Sequence, residues 1–290
     1  MSDQENPKIT EQKRETAGVF SRGAATYGQV GPPFFSHFGR RLVELAQIPN
    51  GARVLDIATG RGAVLFPAAE AVGEQGHVTG IDLSKDMVKE TGREVERQAL
   101  KNAKVQVMDA EHLEFPNESF DVVFCSFAIF FFPQLERALS EIIRVLKPGG
   151  RVAVSTWGPL DERVKWYRDL LESHLASGEP ETKQESDLQS KREPVFNTPE
   201  GLKTILASAG FTGIEILSES KEFTYADENE FWASLWSHGG RRNLEAIERK
   251  FGKEGLQRFQ IEVSQHLKMI QQTGGIMELF SALFGFATRP

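Results

Sequence analysis

The segment from Val54 to Gly62 constrains the fold most, because a short apolar strand there reaches an acid, Asp56, and then breaks into a glycine-bearing turn. Gly60 and Gly62 can adopt positive φ angles, and they let a ligand approach main-chain N–H groups without a side chain in the way. The helix expected to begin near Ala63 adds the partial positive charge of its N-terminus. The pattern predicts a ligand site at the end of this strand.

A dinucleotide-binding turn is the alternative interpretation of the same segment. Its third small residue would fall at Leu65, which is too large for the close helix–strand packing that this position requires. Asp56 would repel a pyrophosphate and attract a cationic amino group. The loop therefore favours a ligand with an amino acid moiety, and a nicotinamide-dependent oxidoreductase remains the alternative.

The next segments continue the pattern of strands that end in polar residues. Residues 77–84 predict a strand ending in Asp82, with Ser84 as the N-cap of a helix. Residues 105–111 predict a strand ending in Asp109, residues 120–126 a fourth strand, and residues 151–157 a fifth. A carboxylate at the end of the second strand can accept both hydroxyls of a ribose. Strands alternating with helices at this spacing predict a parallel sheet covered by helices on both faces.

These ordered motifs resemble class I S-adenosylmethionine-dependent methyltransferases, and within them the ubiquinone/menaquinone-type C-methyltransferase-like branch. The resemblance covers roughly residues 20–157. It implies an α/β, Rossmann-like fold with a seven-stranded, mostly parallel sheet, an antiparallel last strand and a helical insertion before that strand. It also implies S-adenosylmethionine as cofactor and S-adenosylhomocysteine as product.

The resemblance further implies which residues bind the cofactor. Asp56 and the glycines after it would hold the methionine part, Asp82 the ribose hydroxyls, and Asp109 the adenine amino group. Ala58 stands where the family has its first loop glycine. The full expected set is Tyr27, Asp56, Ala58, Gly60, Gly62, Asp82, Leu83, Met87, Asp109, Ala110 and Ser126.

Contacts with a methyl acceptor are expected from the N-terminal helix, the loop after the fourth strand and the C-terminal insertion. These stretches are rich in aromatic side chains, which predict an apolar or aromatic acceptor. The alternative is that the same rings belong to the core. The expected pocket residues are Phe34, Phe130, Phe131, Trp232 and Trp236.

Methyl transfer from a sulfonium needs little acid–base catalysis, because the methyl group is already activated. SN2 transfer needs mainly that the acceptor atom be positioned. A base is needed only when the acceptor must lose a proton. His238 is the preferred candidate because glycines follow it, although a catalytic histidine can also be absent. No spacing of metal ligands is present, so we expect no metal. A protein that binds the cofactor without turnover is a further alternative.

Composition limits the partners. The 290 residues carry a net charge of −7 with a pI near 5.5, which argues against a nucleic-acid substrate and leaves a small molecule. The single cysteine excludes an intramolecular disulfide. No apolar run reaches membrane-spanning length, and the first residues lack a signal-peptide pattern. We expect a soluble, cytoplasmic monomer or homodimer.

Four regions are expected along the chain. Residues 1–15 are polar and predicted to be disordered, and residues 16–50 should form helices that cover the cofactor. Residues 51–158 should form the cofactor-binding core. Residues 159–290 should complete the sheet with strands over 211–225 and 276–288, and carry a helical substrate lid at about 228–272. The polar run at 177–194 predicts a long loop.

Overall fold

The computed structural model describes residues 6–176 and 195–290, so the predicted loop at 177–194 lies outside the described residues. Seven strands form one sheet. In chain order they are β1 (Arg53–Ile57), β2 (His77–Asp82), β3 (Ala103–Val107), β4 (Phe120–Ser126), β5 (Leu146–Trp157), β6 (Thr212–Tyr225) and β7 (Ile276–Thr288).

Helices surround this sheet. They are α1 (Pro7–Gly23), α2 (Phe34–Ala46), α3 (Leu65–Val72), α4 (Lys85–Arg97), α5 (Leu135–Val145), α6 (Lys165–Ala176), α7 (Pro199–Ser208), α8 (Glu228–Ser237) and α9 (Arg241–Ile270). Two 3₁₀ turns lie at Ile129–Phe131 and Glu162–Val164. Helix α9 kinks at Gly252, whose φ is 68°. Within the described ranges, no helix combines the length and apolar character needed to cross a lipid bilayer.

The strand order is β3-β2-β1-β4-β5-β7-β6, with β7 antiparallel to both of its neighbours. The predicted fold class is confirmed, including the antiparallel last strand and the helical insertion before it. β2 and β3 extend the sheet on one side of β1, and β4 and β5 extend it on the other side, so the direction in which strands are added reverses at β1. Ligands of open α/β sheets bind outside the carboxyl ends of the strands at such a reversal, here between β1 and β4.

Each face of the sheet carries an apolar layer. One layer packs α2 and α3 on the sheet through Phe38, Leu42, Phe124 and Phe284. The other packs α5 and α7 through a set that includes Ile142, Leu202 and Leu206. A third cluster packs α8 and α9 of the insertion against α6, Tyr225 of β6 and Ile276 of β7.

The predicted disorder of residues 1–15 is wrong for the part that the structure describes, because α1 begins at Pro7. Asn6 caps this helix, its side chain accepting from the backbone N–H of Lys8 at 3.0 Å, and proline suits the first helical position. Lys13 is buried at 8% exposure and binds distant carboxylates. The polar sequence therefore gave no local indication of α1, which is stabilised by ion pairs to residues far away in the chain.

Most boundaries elsewhere lie close to those expected, but β5 begins at Leu146 rather than at the predicted Arg151. Strands β2, β4 and β7 cover 77–82, 120–126 and 276–288, and β6 starts one residue after the predicted 211. Helix α3 starts at Leu65 rather than near Ala63, because the chain makes a full turn through the glycines first. β3 ends at Val107, so Asp109 lies in the loop beyond it.

Candidate cofactor and acceptor site

The loop between β1 and α3 has the conformation that its small residues allow. Ala58, Gly60 and Gly62 have φ angles of 55°, 49° and 81°. A Cβ on Gly62 would lie 2.4 Å from the Phe66 ring, so glycine is required there by packing as well as by φ. Ala58 adopts the left-handed region without being glycine, which carries a modest strain. The loop keeps its shape despite the departure from the family pattern.

Helix α2 presses against this loop. A Cβ on Gly39 would lie 2.5 Å from the Ala63 carbonyl oxygen, so only glycine lets the helix approach the backbone this closely. Gly39 was not expected to matter for the site. The residue carries no local signal of its role, because the close contact joins segments 24 residues apart.

Asp56 lies at the end of β1 with 1% of its surface exposed. Burial raises the pKa of this carboxyl to about 7, although a hydrogen bond from Thr59 lowers it. The Thr59 hydroxyl donates to Oδ2 at 2.6 Å. Near neutral pH this carboxyl is neutral or ionised depending on the charge of the group that approaches it.

Asp56 therefore predicts a pH-dependent affinity for the cofactor. A cationic amino group favours the carboxylate, so binding must remove the proton from Asp56 below its folded-state pKa. We expect the Kd for S-adenosylhomocysteine to fall by up to about tenfold per pH unit as pH rises toward 7, and then to level off. Calorimetry from pH 5.5 to 8.5 measures this. Asp56→Asn should weaken binding and flatten the profile, whereas a flat wild-type profile would contradict the role.

Asp82 ends β2 and faces the glycine loop. Its Oδ2 accepts the N–H of Gly60 at 2.9 Å, and its Oδ1 accepts the N–H of Ser84 at 2.8 Å. Burial raises the pKa of Asp82, while these backbone hydrogen bonds oppose the shift. Ser84 caps α4 as predicted, and its hydroxyl lies 2.8 Å from that of Ser21 on α1. Asp82 thus ties the loop, α4 and α1 to one edge of the cleft.

The third acidic position holds an ion pair that the sequence did not reveal. The ammonium of Lys13 lies 2.7 Å from Asp109 Oδ2 and 2.6 Å from Glu111 Oε2. Burial would raise the pKa of Asp109, but the hydrogen bond and charge of Lys13 hold it below its ordinary value. Asp109 therefore meets α1 at the place where an adenine amino group was expected. Apart from its charge, nothing in the sequence around Lys13 indicated this ion pair.

Two adjoining cavities meet at the carboxyl ends of β1 and β4. The larger, of about 810 Å³, lies between α1 and the ends of β2 and β3, and the smaller, of about 540 Å³, surrounds the glycine loop and the start of α2. Both are lined by Tyr27, Ala58, Gly60 and Ser126. Asp56 lines the smaller one, and the larger one also contains Asp82, Leu83, Met87, Asp109 and Ala110.

Ten of the eleven expected cofactor residues thus lie around these cavities, and Gly62 shapes the loop from outside the lining. Tyr27 stacks on Phe35 with ring centroids 5.1 Å apart, and burial raises the pKa of its hydroxyl. Ser126 bonds to Ser155 with the hydroxyl oxygens 2.8 Å apart. The sequence missed Phe20 and Phe35, which also line the cavities.

The expected acceptor residues divide between cleft and core. Phe131 lines the larger cavity, whereas Phe34 is 4% exposed and stacks on Phe280 with centroids 4.7 Å apart. Phe130 packs against Phe196 and lines neither cavity. The alternative interpretation as core residues therefore holds for Phe34 and Phe130.

The two tryptophans of the insertion also lie away from both cavities. Trp232 packs near Phe259 with centroids 6.2 Å apart, and the Arg241 guanidinium lies 5.1 Å from the Trp236 ring. Both are partly buried and pack against the third apolar cluster. The insertion contacts α1 instead, where Glu245 pairs with Arg22.

The geometry does not support His238 as a general base. Its Nδ1 accepts the N–H of Gly240 at 3.1 Å, and burial lowers the pKa of the ring to about 4. A neutral ring with that bond carries its proton on Nε2 and can only donate there. His238 lies against Phe34 and Phe35, with centroids 5.8 and 6.2 Å away, and lines neither cavity.

Comparison with known proteins agrees with this geometry. A family profile described as "Methyltransferase domain" matches residues 54–150. Nocamycin O-methyltransferase of Saccharothrix syringae is 32% identical over 236 residues, covering 79% of this chain and 84% of that protein. Aklanonic acid methyltransferase DauC of Streptomyces is 43% identical over 144 residues, which are 50% of this chain and 66% of that relative.

A demethylmenaquinone methyltransferase of Listeria welshimeri is 35% identical over 151 residues, covering 50% of this chain and 64% of its own. Among solved structures, YcgJ from Bacillus subtilis superposes with a TM-score of 0.56 at 18% identity, over 87% of this chain and 98% of its own. The similar methyltransferases, the acidic strand ends and the glycine loop all indicate the same family, and YcgJ agrees in fold. The chain belongs to the S-adenosylmethionine-dependent methyltransferase family.

Proposed function

We propose that this methyltransferase transfers a methyl group by in-line displacement to a small apolar or aromatic acceptor of the quinone or natural-product type. The observation that carries the proposal is the junction of the two cavities at Tyr27, Ala58, Gly60 and Ser126. An amino acid moiety at Asp56 and a ribose at Asp82 would place a sulfonium between them, at that junction.

The residues present fit S-adenosylmethionine, which supplies an already activated methyl group when bound. Asp56 would accept from its amino group, and Asp82 from its ribose hydroxyls. Leu83 and Met87 would flank the adenine, and Asp109 with Ala110 would meet the adenine edge. Because the donor is activated, the protein's contribution is to hold the acceptor atom in line and to exclude water.

The acceptor class follows from the walls of the cleft. Phe20, Phe127 and Phe131 line the larger cavity, and Phe35 lines the smaller one. Aromatic walls suit a planar, apolar molecule. The relatives named for nocamycin, aklanonic acid and demethylmenaquinone support this class, and the first of them is named as an O-methyltransferase; carbon, oxygen and nitrogen are all candidate methylated atoms here.

The division of labour along the chain is part of the proposal. Residues 51–158 would bind the cofactor and α1 and α2 would cover it, with the cover beginning at Pro7 rather than at residue 16. The insertion at about 228–272 would shape acceptor choice. Its salt bridge from Glu245 to Arg22 supports a position against the N-terminal cover.

Two measurements test this function. Calorimetry with S-adenosylhomocysteine should show binding in the micromolar range, and tritium from methyl-labelled S-adenosylmethionine should appear in organic extracts when a naphthoquinol or an aromatic polyketide acid is supplied. Fluorescence titration with NADH tests the nicotinamide alternative, which Asp56 and the buried Leu65 disfavour. Binding of NADH without binding of S-adenosylhomocysteine would overturn the proposal, and cofactor binding without label transfer to any acceptor would favour the non-catalytic alternative.

A further inference from the structure

Arg242 lies at the rim of the larger cavity, where it contacts residues of α1 and of the loop after β4 that line the cavity, although Arg242 does not line it itself. Its Nη2 donates to the Thr16 hydroxyl at 2.7 Å. Its guanidinium carbon lies 5.9 Å from the centroid of the Phe131 ring. Thr16 and Phe131 both line the cavity, so Arg242 is held between two of its walls.

The guanidinium has no carboxylate within 4 Å in the part of the chain that the structure describes. Two other half-buried arginines are paired, Arg41 with Glu219 and Arg144 with Glu141, whereas Arg61 and Arg137 donate to the backbone carbonyls of Ala24 and Glu111. The neighbouring Arg241 pairs with Glu245. Burial lowers the pKa of Arg242, and Glu15 raises it from a distance. A partly desolvated charge without a counterion is costly to keep.

Its position on the helix adds to that cost. Arg242 is the second residue of α9, and the first turn of this helix contains no acidic residue. The N-terminal end of a helix carries partial positive charge, so a cation there is unfavourable for stability. Packing alone would be satisfied by a neutral side chain. The arrangement instead concentrates positive potential at the rim of an aromatic cavity.

The deeper part of the cavity has the opposite character. Asp82, Asp109 and Glu111 line it, and Lys13 is engaged by the last two. Deep acidic groups suit the ribose and adenine side of the proposed cofactor. Arg242 lies at ion-pair distance from none of these carboxylates, and its side chain contacts the cleft at Thr16 and Phe131.

We propose that Arg242 binds a carboxylate on the methyl acceptor and so selects aromatic acids over their neutral counterparts. This inference rests on the proposed function. The planar guanidinium can donate two parallel hydrogen bonds to a carboxylate, while Phe20 and Phe131 contact the ring system. The carboxylate is an anchoring group, and Arg242 determines specificity without taking part in bond formation.

The test uses the full chain saturated with S-adenosylhomocysteine, and anthraquinone-2-carboxylate and its methyl ester as matched probes. Binding is followed by tryptophan fluorescence. We expect the wild-type protein to bind the acid about tenfold more tightly than the ester. Arg242→Gln should remove this preference by weakening acid binding alone, and Arg242→Lys should retain part of it. Arg249→Gln, an exposed change on the same helix, should leave both affinities unchanged.

Equal affinities for acid and ester in the wild-type protein, or no binding of either, would overturn the inference. So would an Arg242→Gln variant that weakens both probes equally or keeps the preference, because either result indicates a purely structural role. The titration with S-adenosylhomocysteine reports separately on the proposed function. If it shows no binding, that function fails, and the acid preference is measured on the free protein.

Discussion

Replacing Lys13 by methionine should lower the free energy of unfolding at neutral pH by about 3–5 kcal/mol. The side chain of Lys13 is 9% exposed, that of Asp109 24% and that of Glu111 only 1%, so the substitution leaves two close carboxylates without their cation. Glu111 also accepts the backbone N–H of Gln134 at 2.7 Å, which holds it in place. The loss is large because the buried Glu111 carboxylate is left without its cation beside a second carboxylate.

The pH dependence of this loss has a definite sign. Lys13 holds the pKa of Asp109 below its ordinary value, so the stabilisation is present above the unfolded-state pKa and is lost as pH falls through the folded-state pKa. The difference between wild type and Lys13→Met should therefore shrink in acid. Urea unfolding at pH 7.5 and at a pH below the folded-state pKa of Asp109 measures both limits.

A matched control is available on the same helix. Lys8 is exposed, so Lys8→Met should change the unfolding free energy by less than about 0.5 kcal/mol. Lys13→Arg should keep most of the stability, because it keeps the cation. Equal effects of the Lys8 and Lys13 substitutions would show that the ion pair contributes nothing. Hydrogen exchange of residues 7–23 would show whether α1 detaches alone.

Asp82→Ala should weaken binding of S-adenosylhomocysteine by about 1.5–3 kcal/mol, which is roughly 10- to 150-fold in Kd. Two effects add. The variant loses the proposed acceptor for the ribose hydroxyls, and it releases the N–H groups of Gly60 and Ser84 that now donate to Asp82. Calorimetry at pH 8 measures the change with Asp56 ionised.

Two further variants separate these effects. Asp82→Asn keeps an acceptor for the Gly60 N–H but removes the charge, so its Kd should lie between those of wild type and Asp82→Ala. Asp86→Ala removes an exposed carboxylate from the first turn of α4 and should leave Kd within about threefold, under roughly 0.7 kcal/mol. An unchanged Kd in Asp82→Ala would remove this residue from the site.

The strands were predictable because their signals are local. Residues 77–82, 120–126 and 276–288 are apolar runs bounded by polar or turn residues, and the structure has strands over those residues. Helix α1 was not predictable in the same way. Its sequence is polar, and the ion pairs of Lys13 join it to residues 96 and 98 positions away.

The aromatic residues show the same limit. Sequence spacing placed Phe34 and Phe131 together as pocket candidates, yet only Phe131 lines a cavity. The direction in which a side chain on a helix or loop points depends on how that element packs. His238 is a further case, because the hydrogen bond from Gly240 determines which ring nitrogen carries the proton.

The sequence by itself determined the order of strands and helices, the glycine loop and the acidic residues at or just beyond the ends of β1, β2 and β3, because these are local patterns that parallel strands bring to one edge. Only the tertiary structure decided which aromatic rings face the cleft, that Lys13 covers the third acid, and that Arg242 stands at the rim without a carboxylate partner among the described residues. Those features join residues far apart in the chain, and burial and charge act on them through space.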